Sequence, residues 1–281
     1  MLSPGETAQK FIEIGKTKTA YPFYKTFVLA ILAGAFIAFA AEGSSFAIHT
    51  ISSAGIGKAV AGALFSTGLI MTVLGGAELF TGNTLIAVSC LARQNKALSF
   101  LKNLCIVFLG NFAGSMLIVL LVFGSGQLNN TAGQAGGFAI KVAAGKTSLS
   151  FLNGICSGIL CCWLVSMGVW MAAASADVTG KIFSCFFPIW LFITSGFEHS
   201  IANMYYIPAG LLAKTNPAYV AKALELGVTN SQLESLNWGK FLYGNLLPVT
   251  IGNLTGGTIF VGTAFFIAFI WEKKGKREEN S

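Results

Sequence analysis

Charge is scarce in this chain. Only 10% of its 281 residues are Asp, Glu, Lys or Arg, 54% are hydrophobic, and the mean hydropathy is +0.70. A soluble domain carries about 25% charged residues, so a soluble enzyme or a cytosolic binding module is excluded. The net charge of +7 would suggest nucleic acid in a soluble protein. Here the basic residues gather at the ends of apolar segments, where they report topology, and no nucleic-acid partner is expected. Histidine is nearly missing, with His49 and His199 the two in the chain. A membrane oxidoreductase of the haem type needs paired axial histidines or methionine–histidine sets at matching depth, and a single histidine deep in an apolar run argues against it. The cysteines (Cys90, Cys105, Cys156, Cys161, Cys162 and Cys185) lie in or beside apolar segments, none at zinc-ligand spacing from a histidine. They read as small packing hydrophobes rather than a disulfide framework. No metal, cofactor or catalytic group is expected.

What the chain does have is long apolar runs with a few polar residues set inside them. The run at 182–213 is longer than the roughly 20–25 residues a helix needs to cross a bilayer. Its middle reads Thr194-Ser-Gly-Phe-Glu-His-Ser-Ile-Ala-Asn-Met204. Ionisable groups at that depth are costly and face a protein interior or a watery path. Helices broken near the membrane midplane are a common way to build a transport site. A break is therefore predicted at 194–204.

The chain opens with Ser3-Pro4-Gly5-Glu6, an N-cap, a first-turn proline and a capping-box glutamate. Residues 1–20 then read as an amphipathic helix lying on the membrane surface and not as a signal peptide. Six apolar segments follow at 26–49, 59–91, 101–123, 149–175, 182–213 and 241–271, and the second is again too long for one straight span. Residues 124–148, rich in Gly, Asn, Gln and Ser, read as a loop. Residues 214–240 read as a loop with a short helical piece at 217–226. The fold class is an all-α polytopic membrane protein of a single domain spanning 1–281. It comprises the N-terminal helix 1–20, a first repeat 21–123, a second repeat 149–271 and a tail 272–281. Lys10, Lys16, Lys18, Lys25, Arg93, Lys96, Lys102, Lys181, Lys273, Lys274, Lys276 and Arg277 share the side of the termini. Lys58, Lys141, Lys146, Lys214, Lys222 and Lys240 take the other, so both termini are expected in the cytoplasm.

The two overlong segments share a pattern. Gly76-Ala-Glu78-Leu-Phe-Thr-Gly-Asn83 and Gly196-Phe-Glu198-His-Ser-Ile-Ala-Asn203 both carry Glu followed five residues later by Asn. The third and sixth share Gly110-Asn111-Phe-Ala-Gly114 and Gly252-Asn253-Leu-Thr-Gly256. Two motifs in the same order, in halves of three crossings each, indicate an inverted repeat.

The half-helix ends at such breaks offer free N–H groups and a positive dipole end, which suit anions. Glu78 and Glu198 are expected to be structural, bonded to the freed amides with Asn83 and Asn203 nearby, since a buried carboxylate must be hydrogen-bonded or protonated. His199 is the candidate donor or acid in the path. Phe65, Leu69, Leu79, Phe80, Phe192 and Phe197 can form apolar constrictions that hold back water and bare ions. Lys146, just before the fourth segment, is a candidate attractor at the outer mouth.

On the motifs Gly75-Gly-Ala-Glu-Leu-Phe-Thr-Gly-Asn83, Gly110-Asn-Phe-Ala-Gly114, Ser195-Gly-Phe-Glu-His-Ser-Ile-Ala-Asn-Met204 and Pro248-Val-Thr-Ile-Gly-Asn253, the chain resembles the formate–nitrite transporter family over about residues 20–271. The resemblance implies an aquaporin-like protomer, a homopentamer with one pore in each protomer, and a multi-pass place in a bacterial inner membrane. It makes His199 the central pore histidine and Thr81 the polar residue opposite. Leu69 with Phe192 and Leu79 with Phe65 become the constrictions, and Lys146 the vestibule lysine. Where formate channels of the family carry an asparagine, this chain has Cys162, which points to the hydrosulfide branch. The expected function is a channel for small monovalent anions of weak acids, hydrosulfide first, with formate and nitrite as further substrates. The alternatives are a proton-coupled formate or nitrite transporter and a neutral-solute channel, though no Asn-Pro-Ala pair occurs.

Overall fold

The computed structural model describes residues 1–271, all helix and connection with no strand among them. The tail 272–281, with four of the basic residues used for orientation, lies outside the described residues. Helix α1 is Pro4–Ala20, α2 Phe23–Ile48 and α3 Ala54–Leu74. A short apolar helix α4, Phe80–Leu91, precedes α5, Ala97–Gly124. Then come α6 Gln134–Thr147, α7 Phe151–Ala174, α8 Val178–Ser195 and α9 Ser200–Ala213. Two small helices, α10 Pro217–Glu225 and α11 Asn230–Ser235, lead to α12, Lys240–Trp271. Six of these, α2, α3, α5, α7, α8 and α12, are long and apolar enough to cross a membrane. The chain is thus an all-α membrane protein of two inverted three-helix repeats, with its second and fifth segments broken.

The breaks are more than kinks. At about 1.5 Å per residue α3 is already about 30 Å long, a full hydrocarbon thickness. Residues 75–79 therefore turn the chain back toward the middle, and α4 sets off again from there. Gly76 makes the turn in the left-handed region (φ 68°), where a side chain is strained. Gly196 (φ 77°) does the same at the end of α8. Each overlong segment is one crossing helix followed by a half-helix that starts inside the protein.

Glycine places the helices that frame these breaks. α2 packs on α5 and α7 on α12. A Cβ on Gly114 would run into the backbone carbonyl of Ile31, and one on Gly256 into that of Ile159. The two Gly-Asn-x-x-Gly motifs thus bring backbones close enough for their asparagines to reach across. α12 includes three π-helical stretches, Lys240–Leu246, Gly256–Thr263 and Ile267–Trp271.

Two sequence expectations change. Residues 124–148 do not form a loop throughout, since 134–147 are α6. Two of the glycines there, Gly136 and Gly137, serve close packing. A Cβ on Gly136 would lie 2.5 Å from Tyr219 Cγ and one on Gly137 2.6 Å from Lys222 Cβ, both on α10. And α1, whose capping box between Ser3 and Glu6 forms as expected, does not lay its apolar face on lipid. Phe11 stacks on Trp170 at 4.8 Å between ring centroids, and Lys10 Nζ donates to the Ala173 carbonyl. The helix is docked on the end of α7.

Candidate functional site

Burying two carboxylates requires partners, and the fold supplies the same set twice. In the first repeat Glu78 is 2% exposed and faces Lys18 of α1, with Nζ to Oε1 at 3.0 Å. Asn83 Nδ2 donates to Glu78 Oε2 and to Asn103 Oδ1, and Asn103 Nδ2 donates to the Lys18 carbonyl. In the second, Glu198 faces Lys146 of α6 at 3.0 Å. Asn203 Nδ2 donates to Glu198 Oε2 and to Asn245 Oδ1, and Asn245 Nδ2 donates to the Lys146 carbonyl. The helices α1 and α6 therefore occupy matching positions, each delivering a lysine to a break.

The freed backbone amides go elsewhere than expected. Phe80 N donates to Asn111 Oδ1 and Ser200 N to Asn253 Oδ1, at 3.0 and 2.8 Å. Asn111 Nδ2 returns to the carbonyls of Ala30 and Glu78, and Asn253 Nδ2 to those of Gly158 and Glu198. The carboxylates, read from sequence as partners of these amides, instead hold lysine and asparagine. Of the two, only Glu198 has its own amide capped by a side chain, Ser157 Oγ at 3.0 Å. Lys146 likewise is no isolated loop charge: it is ion-paired, and its Nζ sits 5.1 Å from the Tyr206 ring centroid.

Between the two breaks lie His199 and Thr81. Thr81 is fully buried and His199 nearly so. His199 is the N-cap of α9, its Nδ1 accepting from the Ala202 amide at 3.1 Å. An imidazole nitrogen that accepts carries no proton, so in the neutral ring the hydrogen is on Nε2. Nε2 lies 3.0 Å from Thr81 Oγ1 and donates to it. The threonine hydroxyl, having accepted, keeps its own hydrogen to offer. The result is a directed chain, amide to ring to hydroxyl, that ends in a donor and suits an anion.

Cys162 is fully buried behind this pair. Its Sγ lies 3.7 Å from the Thr81 carbonyl, to which it donates, and 3.7 Å from Ser166 Oγ. Thr84 Oγ1 donates to the same carbonyl at 2.6 Å. The thiol therefore bears on the backbone that carries Thr81.

The apolar residues pair differently from the sequence expectation. Phe65 meets Phe192 edge-on at 5.8 Å, and Phe192 lies 5.9 Å from the His199 ring, both between centroids. Leu69 and Leu79 instead line one cavity on the α1 side, of about 450 Å³. The turn at 75–79 brings Leu79 to the cavity that Leu69 lines, while Phe65 lies four residues, about one helical turn, before Leu69 on α3. The phenylalanine pair thus lies against the histidine ring, while the leucines face the α1-side cavity. Phe80 packs away from them on Phe108 at 5.2 Å. The cavity, with Lys10, Lys18, Lys181 and Tyr21 on its walls, is far larger than a triatomic anion, so water fits there too. Asn103, Asn245 and Tyr206 were not singled out from sequence. The two asparagines carried a signal, for Asn103 stands 8 residues before Asn111 (111 − 103) as Asn245 does before Asn253 (253 − 245).

Residues 5–267 match the family model described as Formate/nitrite transporter. The chain belongs to the formate/nitrite transporter family. Among its formate/nitrite transporter relatives is the formate channel FocA of Escherichia coli strain K12, 35% identical over 97% of this chain and 96% of that one. Another is a probable formate transporter of Methanothermobacter thermautotrophicus, 32% identical over 96% of this chain and 98% of its own. A solved structure described as a pentameric formate channel with formate bound superposes with a TM-score of 0.76, at 32% identity over 88% of this chain and 98% of that one. A second, described as an FNT family ion channel, gives 0.77 at 27% identity over 94% and 98%. Membership makes this chain a multi-pass membrane protein of a transporter family whose named relatives are channels and transporters rather than enzymes.

Proposed function

We propose that each protomer is a pore for small monovalent anions of weak acids, with hydrosulfide, formate and nitrite as its substrates. The observation that carries this reading is the buried Nε2–Oγ1 hydrogen bond of 3.0 Å between His199 and Thr81, which leaves a hydroxyl donor between two apolar pairs. A bare anion in hydrocarbon would face a Born cost of order 20 kcal/mol in the idealised limit. A fixed donor at the narrowest point, backed by the positive ends of α4 and α9, lowers that barrier. Phe65 with Phe192 and Leu69 with Leu79 act as the constrictions. Glu78, Asn83, Glu198 and Asn203 hold the breaks. Lys146 keeps a compensated positive charge beside the outer vestibule.

Hydrosulfide is favoured within this class because Cys162 offers a thiol where formate channels of the family offer an amide. The names of the relatives support formate. The pentameric relative supports a homopentamer with a pore in each protomer. The distribution of lysines supports cytoplasmic termini in a bacterial inner membrane. Flux of formate, nitrite and hydrosulfide into proteoliposomes, measured beside glycerol-driven swelling, tests the reading. Saturable passage of the anions with no glycerol swelling is expected. Glycerol permeation without anion flux would make the protein a neutral-solute pore. Uptake that collapses when the pH gradient is removed would make it a proton-coupled carrier.

A further inference from the structure

The two lysines bound to the buried glutamates leave a question of charge. Lys18 and Lys146 each sit 3.0 Å from a carboxylate oxygen. Such a pair is a dipole whose field falls away faster than that of a lone charge, so it is a weak attractor at the distance of a vestibule. Two other lysines are placed at the breaks without a carboxylate. Lys58, early in α3, is exposed, and its Nζ lies 3.5 Å from where a Cβ on Gly196 would stand. Gly196 is the left-handed turn that ends α8 and leads to Glu198 and His199. Lys181, early in α8, lines the α1-side cavity together with Gly76, the left-handed turn that ends α3. The two lysines sit near the start of the equivalent helices of the two repeats. Lys58, from the start of α3, thus reaches the turn that ends α8, and Lys181, from the start of α8, faces the cavity onto which the turn that ends α3 opens. Among the described residues neither side chain has an ion-pair or hydrogen-bond partner.

We infer that Lys58 and Lys181, held by no carboxylate, draw the anion to the two mouths of the pore alongside the ion-paired Lys146 and Lys18. This rests on the anion-pore reading above. A bland role for Lys58 also exists, since a lysine at a helix C-terminus can bond the last carbonyls of α8. The two roles differ in their response to salt. Attraction across open solvent is strong at about 0.01 M salt, where the Debye length is about 30 Å, and nearly gone at about 1 M, where it is about 3 Å. A capping role acts through folding and assembly, so its loss lowers uptake at both salt levels.

The test is initial uptake of formate and of hydrosulfide, well below saturation, into liposomes holding the parent, Lys58→Gln, Lys181→Gln, the double variant and Lys58→Glu. One unit charge about 8 Å from the path changes local anion density by about two- to threefold in dilute salt. Each single glutamine variant should lose about that factor at low salt, the double variant more, and Lys58→Glu more again, with all converging on the parent at about 1 M salt. Lys58→Arg should keep the parent rate at low salt. Parent-like rates at low salt in the double variant and in Lys58→Glu would overturn the inference, as would a loss equally large at both salt levels. A parent that carries neither anion would instead sink the functional reading beneath it.

Discussion

His199 donates from Nε2 to Thr81 Oγ1 across 3.0 Å, although 118 residues separate them in sequence. The other ring nitrogen is already committed to the Ala202 amide, so one histidine both caps α9 and ties the second break to the first. Charging the ring would set a proton on Nδ1 against that amide and remove the cap. The geometry therefore favours hydrogen bonding over proton carriage at this residue.

His199→Asn follows from this at once. Asparagine is a good N-cap, and its side chain also holds a donor. The variant should keep at least about a third of the parent formate flux, with the parent's pH profile. His199→Phe keeps a ring but neither bond; it should lose about 1 kcal/mol of stability from the missing cap and more than tenfold in flux. Thr81→Ser should be near the parent and Thr81→Val close to the phenylalanine variant. Proteoliposome uptake between pH 5 and 8 checks all four. An asparagine variant that loses its pH dependence while remaining folded would return the proton to His199.

How much of this was legible from the sequence depends on the range of the interaction. The breaks were visible because Glu198, His199 and Asn203 interrupt an apolar run, and the inverted repeat because two short motifs recur in order. The ion pairs were not, because Lys18 and Lys146 lie in segments that read as a surface helix and a loop, and nothing local ties them to a glutamate. α6 was hidden by its glycines, whose purpose is visible only once Tyr219 and Lys222 are packed against them. The pairing of Phe65 with Phe192 needed the turn at 75–79, which reverses the chain and moves Leu79 to the other side.

The two halves of each ion pair should not be equally costly to remove. Glu78 is 2% exposed while the Lys18 side chain is 25% exposed. Lys18→Met strands a buried carboxylate, whereas Glu78→Gln leaves an ammonium that can swing to water. Removing the partner of a charge that stays buried costs about 3–5 kcal/mol. Thermal melting in detergent should therefore rank Lys18→Met below Glu78→Gln, and the double variant above Lys18→Met. Equal losses in both single variants would mean that Lys18 is not the compensating charge.

Phe65 and Phe192 touch through one edge-on contact, so either truncation opens the same gap. Phe192→Ala or Phe65→Ala should raise the permeation of lactate relative to formate by about tenfold, with the double variant adding little. The truncations also carry a packing cost of about 3–5 kcal/mol each, read from melting. An unchanged lactate-to-formate ratio in correctly assembled protein would assign the size limit to Leu69 and Leu79 instead.

Orientation can be read from the connections. Ser52 lies between α2 and α3, and Gln94 between α4 and α5, both exposed. With cytoplasmic termini, a membrane-impermeant maleimide added to intact cells should label Ser52→Cys above the background of native thiols and leave Gln94→Cys unlabelled. The reverse pattern would invert the protein.

Cys162 is where the substrate preference is most open to experiment. Its thiol approaches the Thr81 carbonyl at 3.7 Å, a weak donor in a place that also receives the Thr84 hydroxyl. An asparagine at 162 would bring a stronger donor to that carbonyl and an extra acceptor and donor beside the pore. Those groups can orient a planar oxyanion with two oxygens, but they offer little to hydrosulfide, which has a single soft centre. Cys162→Asn should therefore raise the ratio of formate to hydrosulfide flux by about five- to tenfold, mainly by faster formate. Cys162→Ala removes the thiol without adding an amide; it should loosen Thr81 and slow both anions about equally. If the asparagine variant leaves the ratio where the parent has it, Cys162 is packing behind Thr81, and selectivity between these anions resides in the apolar pairs.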